Sequence, residues 1–275
     1  MILLMDMGNS RCKWALTHTD KATQWIEEGS WDNLQHDEHH WLEQFSQFSP
    51  YSIEQVLISS VASDKTKQQV CDWCNEVLGV RPHFAHSQER YHSQSDPQRV
   101  LINSYDKPLA LGVDRWLVMI ACFEKPEIIM SSSFAVLDAG TAITLDMVNN
   151  QGLHLGGHIV PGHNLMQKAL LGKTGRIAWS ASLDQREASE QQWLGHNTVQ
   201  AVELGCLQAS QAYIQVSVER MLDVYAIDRV YFTGGDGHQL MQLIEHKKAQ
   251  SAQAHVLHFE DDLVLQGLYF WSLQK

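Results

Sequence analysis

The sequence predicts an α/β protein made of two similar halves that face each other across a cleft. Three observations carry this. An apolar strand, an Asp-x-Gly turn and a second apolar strand open the chain, and the same unit returns about half a chain later. Elsewhere, short apolar runs that read as strands alternate with segments of helical apolar spacing, the pattern of sheets layered with helices. Finally, 275 residues with 44% hydrophobic and 19% charged side chains supply enough apolar surface for a core in each half.

Residues 2–5 read as a buried strand, Asp6-Met7-Gly8-Asn9-Ser10 as a turn, and 12–17 as the returning strand. Residues 134–137, the turn Asp138-Ala139-Gly140-Thr141, and 143–148 repeat that unit. One such turn is weak, because Asp and Gly are what any tight turn prefers. Two of them, each set between apolar strands, point to an internal duplication with domains over 1–130 and 131–275. Between the copies, 56–61 reads as a strand, 65–78 as an amphipathic helix, and 115–123 as an apolar helix after Gly112-Val113-Asp114-Arg115. Further on, 197–222 has helical spacing with Thr198 at its start, and the strand 229–232 runs into Thr233-Gly234-Gly235-Asp236-Gly237.

A formal charge of −12 argues against a sequence-independent nucleic-acid binder, which needs clustered Lys and Arg. The apolar run 2–5 is too short for a signal-peptide core, and no stretch reaches the roughly 20 apolar residues of a membrane span. Five cysteines at irregular spacing fit a reducing compartment, so the expected location is cytoplasmic. Cys71 and Cys74 form a CxxC inside the helical stretch, with no second pair at zinc-site spacing. His36, His39 and His40 read as solvated loop residues, and the nine tryptophans read as packing residues.

Gly8 and Gly140 let a backbone pass close to a ligand, and turn N–H groups pointing inward form a concave anion site suited to nucleotide phosphates. Lys13, on the strand after the first turn, is placed to approach the same phosphates, unless it is a solvated edge residue. Asp6 and Asp138 cannot both flank a triphosphate unaided, since like charges about 4 Å apart repel by about 4 kcal/mol at an effective dielectric of 20. Cations must intervene, so Mg²⁺ is expected with the nucleotide, together with a second bound cation. An Asp next to an Arg can be merely a surface pair, but the turn Gly112-Val113-Asp114-Arg115 before an apolar helix would present Asp114 to a hydroxyl and Arg115 to a carboxylate or phosphate. Gly234 and Gly235 would let a purine or ribose lie flat on the backbone, unless they only punctuate a strand-to-helix turn.

Taken together, these residues resemble the type III pantothenate kinases of the acetate and sugar kinase, Hsp70 and actin superfamily. The marks are Asp6-x-Gly8-Asn9-x-x-x-Lys13, Tyr105-x-x-Pro108-x-x-Leu111-Gly112-x-Asp114-Arg115, Asp138-x-Gly140-Thr141-Ala142-x-Thr144-x-Asp146, Gly156-Gly157-x-Ile159-x-Pro161-Gly162, Gly195-x-Asn197-Thr198 and Thr233-Gly234-Gly235. The resemblance implies two ribonuclease H-like, actin-like ATPase domains. It implies transfer of the γ-phosphoryl group of ATP to the primary hydroxyl of pantothenate, the first step of coenzyme A biosynthesis. ATP would lie on Asp6, Gly8, Asn9, Ser10, Lys13, Thr141, Gly234 and Gly235. Pantothenate would lie on Tyr105, Gly112, Val113, Asp114, Arg115 and Thr198, with Asp114 as the catalytic base. Asp138 would hold K⁺ or NH₄⁺, Mg²⁺ would come with ATP, and the enzyme would be a homodimer with Thr198 near the interface.

Two positions depart from the family pattern: Ser10 stands where Thr is more usual, and Ile177-Ala178 where Leu-Pro is. A sugar kinase of the same superfamily is a rival reading, but such enzymes often carry a Cys-rich zinc motif that this sequence lacks. A nucleotide-dependent regulatory protein of the Hsp70 kind is a second rival, and it would call for an appended peptide-binding module.

Overall fold

The computed structural model describes residues 1–8, 10–19, 24–32, 38–128, 132–171, 193–248 and 256–274. In chain order the elements are β1 Ile2–Met7, β2 Arg11–Thr17, β3 Glu27–Asp32, α1 Glu38–Ser46, β4 Gln55–Ser60, α2 Asp64–Trp73, β5 His83–Phe84, β6 Arg90–His92 and β7 Val100–Ile102. There follow α3 Val113–Phe123, β8 Phe134–Ala139, β9 Ala142–Val148, β10 His154–Pro161, α4 His163–Leu171, α5 Thr198–Asp223, β11 Arg229–Thr233, α6 Gly237–Lys248, β12 Leu257–Phe259 and α7 Leu263–Ser272.

The first sheet has the order β3-β2-β1-β4-β5. Its first three strands form an antiparallel meander, whereas β4 pairs parallel with β1 and β5 parallel with β4. The second sheet has the order β10-β9-β8-β11-β12, with β12 parallel to β11. Both sheets repeat one permutation of their own strands, so the duplication visible in the two Asp-x-Gly turns is a duplication of whole sheets. This is the expected α/β fold with two ribonuclease H-like sheets. Two compact units result, neither contiguous in sequence: Met1–Val136 with Asp146–Gly157 and Glu260–Lys275, and Leu137–Leu145 with His158–Phe259.

In the first unit β1 is buried at every residue but Asp6, as a strand covered on both faces must be. Several of the tryptophans expected to pack do so, whereas Trp193 is 68% exposed and Trp179 lies outside the described residues. Trp41 stacks on Trp73 with ring centroids 5.3 Å apart, and Trp31 meets Trp41 edge-on at 5.9 Å. The amphipathic helix expected over 65–78 is α-helical only to Trp73. It continues as a π-helical turn, Cys74–Leu78, which Gly79 ends at φ 66°. The CxxC cysteines sit on this stretch, and burial, then Cys71, pushes the Cys74 thiol up to about 12. His39 and His40 lie on α1, a helix where a loop was expected, and His36 lies outside the described residues.

Helix α3 has a polar residue only in its first turn, and all its residues except Asp114 are buried. A helix apolar all round must be covered on all sides. The C-terminal helix α7 covers one of them so closely that a Cβ on Gly267 would fall 1.9 Å from the Leu117 carbonyl oxygen. The one charge on α3 drawn into this core is Arg115, 4% exposed. It is met by Asp146 of β9, 2% exposed: Nε donates to Oδ2 at 2.8 Å and Nη2 to Oδ1 at 2.6 Å. Burial alone would lower the guanidinium pKa, but the hydrogen bonds and charge of Asp146, then of Tyr105, hold it raised. Removing one partner of such a pair strands the other in the core. We therefore expect Asp146→Ala to lower the unfolding free energy by about 3–5 kcal/mol, with Asp146→Asn milder because it keeps one acceptor. Denaturant unfolding of both variants checks this, and a loss below about 1 kcal/mol would mean that the pair is solvated.

Candidate active site

In the first unit, the β1–β2 hairpin sets Asp6 opposite Lys13. Its turn is tied by the Gly8 N–H donating to the Arg11 carbonyl at 3.1 Å, and a Cβ on Gly8 would press on that oxygen at 3.2 Å. Ser10 is half-buried in the turn, and Asn9 lies outside the described residues. Lys13 is not the solvated edge residue that sequence alone allowed. Its Nζ donates to Asp262 Oδ1 at 2.8 Å. Burial by itself would lower the Lys13 pKa, yet the hydrogen bond and charge of Asp262, then Asp261 and Asp6, raise it above its ordinary value. The result is a fixed cation beside the glycine turn.

The second group of the first unit is built around Asn103, a buried side chain that no sequence pattern marks out. Its Nδ2 donates to the Gln88 and Pro108 carbonyls at 3.0 Å each, and its Oδ1 accepts the Tyr105 N–H at 3.1 Å. These bonds shape the loop that carries Tyr105, whose hydroxyl accepts from Arg115 Nη1 at 2.7 Å. At the start of α3, Asp114 Oδ1 accepts the backbone N–H of Arg115 at 2.8 Å. A Cβ on Gly112 would lie 2.6 Å from that oxygen, which explains the glycine. Asp114 stays half-buried while Val113 and Arg115 on either side are buried.

Behind Arg115 stands His154 of β10, fully buried. Its Nε2 lies 2.8 Å from Asp146 Oδ1, its Nδ1 lies 3.4 Å from Ser104 Oγ, and its ring stacks on Tyr105 at 6.0 Å. Three of the five guanidinium N–H groups of Arg115 are thus spent inside the protein. Asp146 closes the sequence motif that begins at Asp138, with no role implied for it, and His154 belongs to none of the motifs. The available signal was a lone histidine in a glycine-rich strand, which periodicity does not mark.

In the second unit three turns are laced together. The Gly162 N–H donates to the Thr141 carbonyl and the Asp236 N–H to the Ala139 carbonyl, both at 3.0 Å. Asp138 lies directly against Gly234, where a Cβ would be 2.4 Å from its Oδ1, and Gly234 adopts φ 87°. A Cβ on Gly162 would be 2.3 Å from the Gly140 oxygen. By contrast, a Cβ on Gly140 or Gly235 would meet nothing within 4 Å among the described residues. Thr141 is exposed. His163 Nδ1 lies 3.4 Å from Asp236 Oδ2, and burial raises the Asp236 pKa while His163 pulls it back. Thr198 is the exposed first residue of α5, but the cap is Asn197, whose side chain accepts the Gln200 N–H at 2.9 Å. Ile177 and Ala178 lie outside the described residues.

Among the described residues there is no cluster of three or more His, Cys, Asp or Glu side chains fit to hold a metal, and no helix is long and apolar enough to cross a membrane.

This chain is similar over almost its whole length to known proteins. The profile of the family described as Type III pantothenate kinase matches residues 2–220. A Type III pantothenate kinase of Marinobacter nauticus is 32% identical over 272 residues, covering 98% of this chain and 96% of the relative. One of Colwellia psychrerythraea is 27% identical over 277 residues, covering 100% and 99%. Among solved structures, ethanolamine utilization protein EutJ from Carboxydothermus hydrogenoformans superposes with a TM-score of 0.52 at 11% identity, covering 99% of this chain and 89% of that one, a likeness of fold alone. The asymmetry between a carboxylate kept half-buried at Asp114 and an arginine locked away beside it thus has a setting: the chain belongs to the type III pantothenate kinases.

Proposed function

We propose that Asp114 is the general base of an ATP-dependent pantothenate kinase, the activity that membership of this family carries. The observation that carries the assignment is the start of α3. Arg115 points inward, pinned by Asp146 and Tyr105, while the Asp114 carboxyl is held in one orientation by the Arg115 N–H through Oδ1. That leaves Oδ2 to take the proton of a substrate hydroxyl. The hydroxyl oxygen bonds to the γ-phosphorus as the bond from that phosphorus to the β,γ-bridging oxygen breaks. The proton passes to Asp114, and ADP leaves with the bridging oxygen.

Pantothenate would lie along Tyr105, Gly112, Val113, Asp114 and Arg115. ATP phosphates would lie along Asp6, Gly8, Asn9, Ser10 and Lys13, with Thr141, Gly234 and Gly235 of the second unit also on the nucleotide. The open side of Gly140 and Gly235 favours close approach of a ligand to backbone there. In a loose phosphoryl-transfer transition state, the contribution of these groups is alignment and neutralisation of charge. Substituting Asp114→Asn removes the proton acceptor and keeps the shape. We expect turnover to fall by about 10²- to 10⁴-fold with ATP affinity nearly unchanged, in a coupled ADP-release assay alongside ATP titration calorimetry. Turnover within a few-fold of the parent would rule out Asp114 as the base.

In this reading Asp138 holds a monovalent cation. Its carboxylate is half-buried against Gly234, and carboxylate oxygen is a ligand for hard ions. K⁺ or NH₄⁺ there would neutralise the repulsion between this carboxylate and the phosphates, and Mg²⁺ would accompany ATP. Activity is expected in K⁺ or NH₄⁺ and to be poor in Na⁺, with the difference abolished in Asp138→Ala. Equal rates of the parent enzyme in K⁺ and Na⁺ buffers would dismiss the cation.

The location is cytoplasmic and the assembly a homodimer in this reading. Ile159 on β10, Leu165 and Leu170 on α4, and Trp193 and Leu194 before α5 leave large apolar side chains exposed, from 40% to 68%. Exposed Thr198 lies next along the chain, and in this reading it reaches pantothenate bound to the partner. Mixing Asp114→Asn with Thr198→Trp, both inactive alone, is expected to restore part of the activity. No recovery after verified subunit exchange, or a monomeric mass in solution, would count against a shared site.

A further inference from the structure

We propose that Asp262, at the mouth of the C-terminal helix, is a positioning residue for Lys13: it holds the ammonium at the phosphate turn before nucleotide arrives. The inference rests on the reading that places Lys13 on the ATP phosphates.

Three observations lead to it. The first is the contact, Nζ to Oδ1 at 2.8 Å, between residues almost a whole chain apart in sequence. The Asp262 side chain is 18% exposed and that of Lys13 35%, so the pair lies at the boundary of solvent rather than in it. The second is what Asp262 gives up. It occupies the N-cap of α7, where an aspartate ordinarily accepts an N–H of its own first turn, yet it makes no side-chain cap bond. The third is its backbone, at φ 55° and ψ 29°, one of only two non-glycine residues with positive φ among those described. An aspartate kept in a left-handed conformation, with its carboxylate turned from its own helix to a lysine, is held there by its surroundings.

The surroundings are rigid. Helix α7 packs on α3 with no room for a Cβ at Gly267, and it also touches β1 and β4. One helix therefore braces both the strand that carries Asp6 and the helix that carries Asp114. A lysine has considerable rotamer freedom to lose when it binds phosphate. One hydrogen bond to a fixed carboxylate removes much of that freedom in advance and leaves two N–H groups of the ammonium for phosphate oxygens.

The test uses Asp262→Asn, nearly isosteric and tolerant of the left-handed backbone, and Asp262→Gly, which relieves that backbone. Asp262→Gly is expected to unfold near the parent temperature, relief of the backbone offsetting the lost contact, and Asp262→Asn slightly below it. Both should lower kcat/KM for ATP by about 10- to 100-fold and weaken ATP binding in calorimetry, with KM for pantothenate unchanged. Adding Asp262→Asn to Lys13→Ala should cost little more than Lys13→Ala alone, because the two residues act through one ammonium. If Lys13→Ala is crippled while the Asp262 variants keep parental ATP kinetics, the positioning role is wrong and the phosphate role of Lys13 survives. If Lys13→Ala itself binds and uses ATP normally, both are wrong. Additive losses in the double variant, or equal losses toward ATP and pantothenate with a lowered unfolding temperature, would make Asp262 an independent or merely structural residue.

Discussion

A guanidinium taken out of water has to be met by a carboxylate, and the meeting of Arg115 with Asp146 organises the first unit. The pair draws together the start of α3, the strand β9, the Tyr105 loop and, through His154, the strand β10. A well-packed apolar replacement of equal volume would hold these elements as firmly, since buried ion pairs recover little more than their own desolvation. What it would not do is set their angles. Two parallel N–H···O bonds fix the plane of the guanidinium, the plane fixes the reach of Nη1 to Tyr105, and the helix start next to it inherits the result at Asp114.

The second unit reaches a shaped site by a different route. There the decisive contacts are steric: Gly162 and Gly234 are glycines because a single carbon would collide with backbone or with Asp138, and their closeness draws the turns 138–141, 161–163 and 233–236 into one corner. Gly140 and Gly235 meet no such crowding, so the same residue type serves two ends within a few positions, closing the corner and leaving backbone accessible. Charge organises one unit and the absence of side chains organises the other.

The strand–turn–strand units, the apolar helix before residue 123 and the long helix after Asn197 were legible in the sequence, because each is local and periodic. The duplication was legible from its two turns alone, since a hairpin of β1 and β2 needs no distant partner. Much of the rest was not. Strand β10 mixes glycines with exposed Leu155 and Ile159, so it shows neither alternation nor a buried run. Helix α7 belongs to the first unit although it ends the chain, and nothing in its order says so. At α5 the start at Thr198 was legible, with Asn197 before it as the cap. Lys13 was legible as a candidate. Its partner was not, because a contact spanning nearly the whole sequence leaves no local trace.

A chain of formal charge −12 that takes a triphosphate poses an electrostatic problem, and the described residues suggest how it is met. The cations near the proposed site are already engaged: Lys13 by Asp262, with Asp6 and Asp261 near, and Arg115 by Asp146. The remaining charge of the nucleotide then falls to turn N–H groups and to ions that arrive with the substrates. Such an arrangement holds Lys13 in place when no nucleotide is bound. If ATP binds as proposed, phosphate binding becomes conditional on the accompanying ions, and the carboxylates around Lys13 are then no handicap.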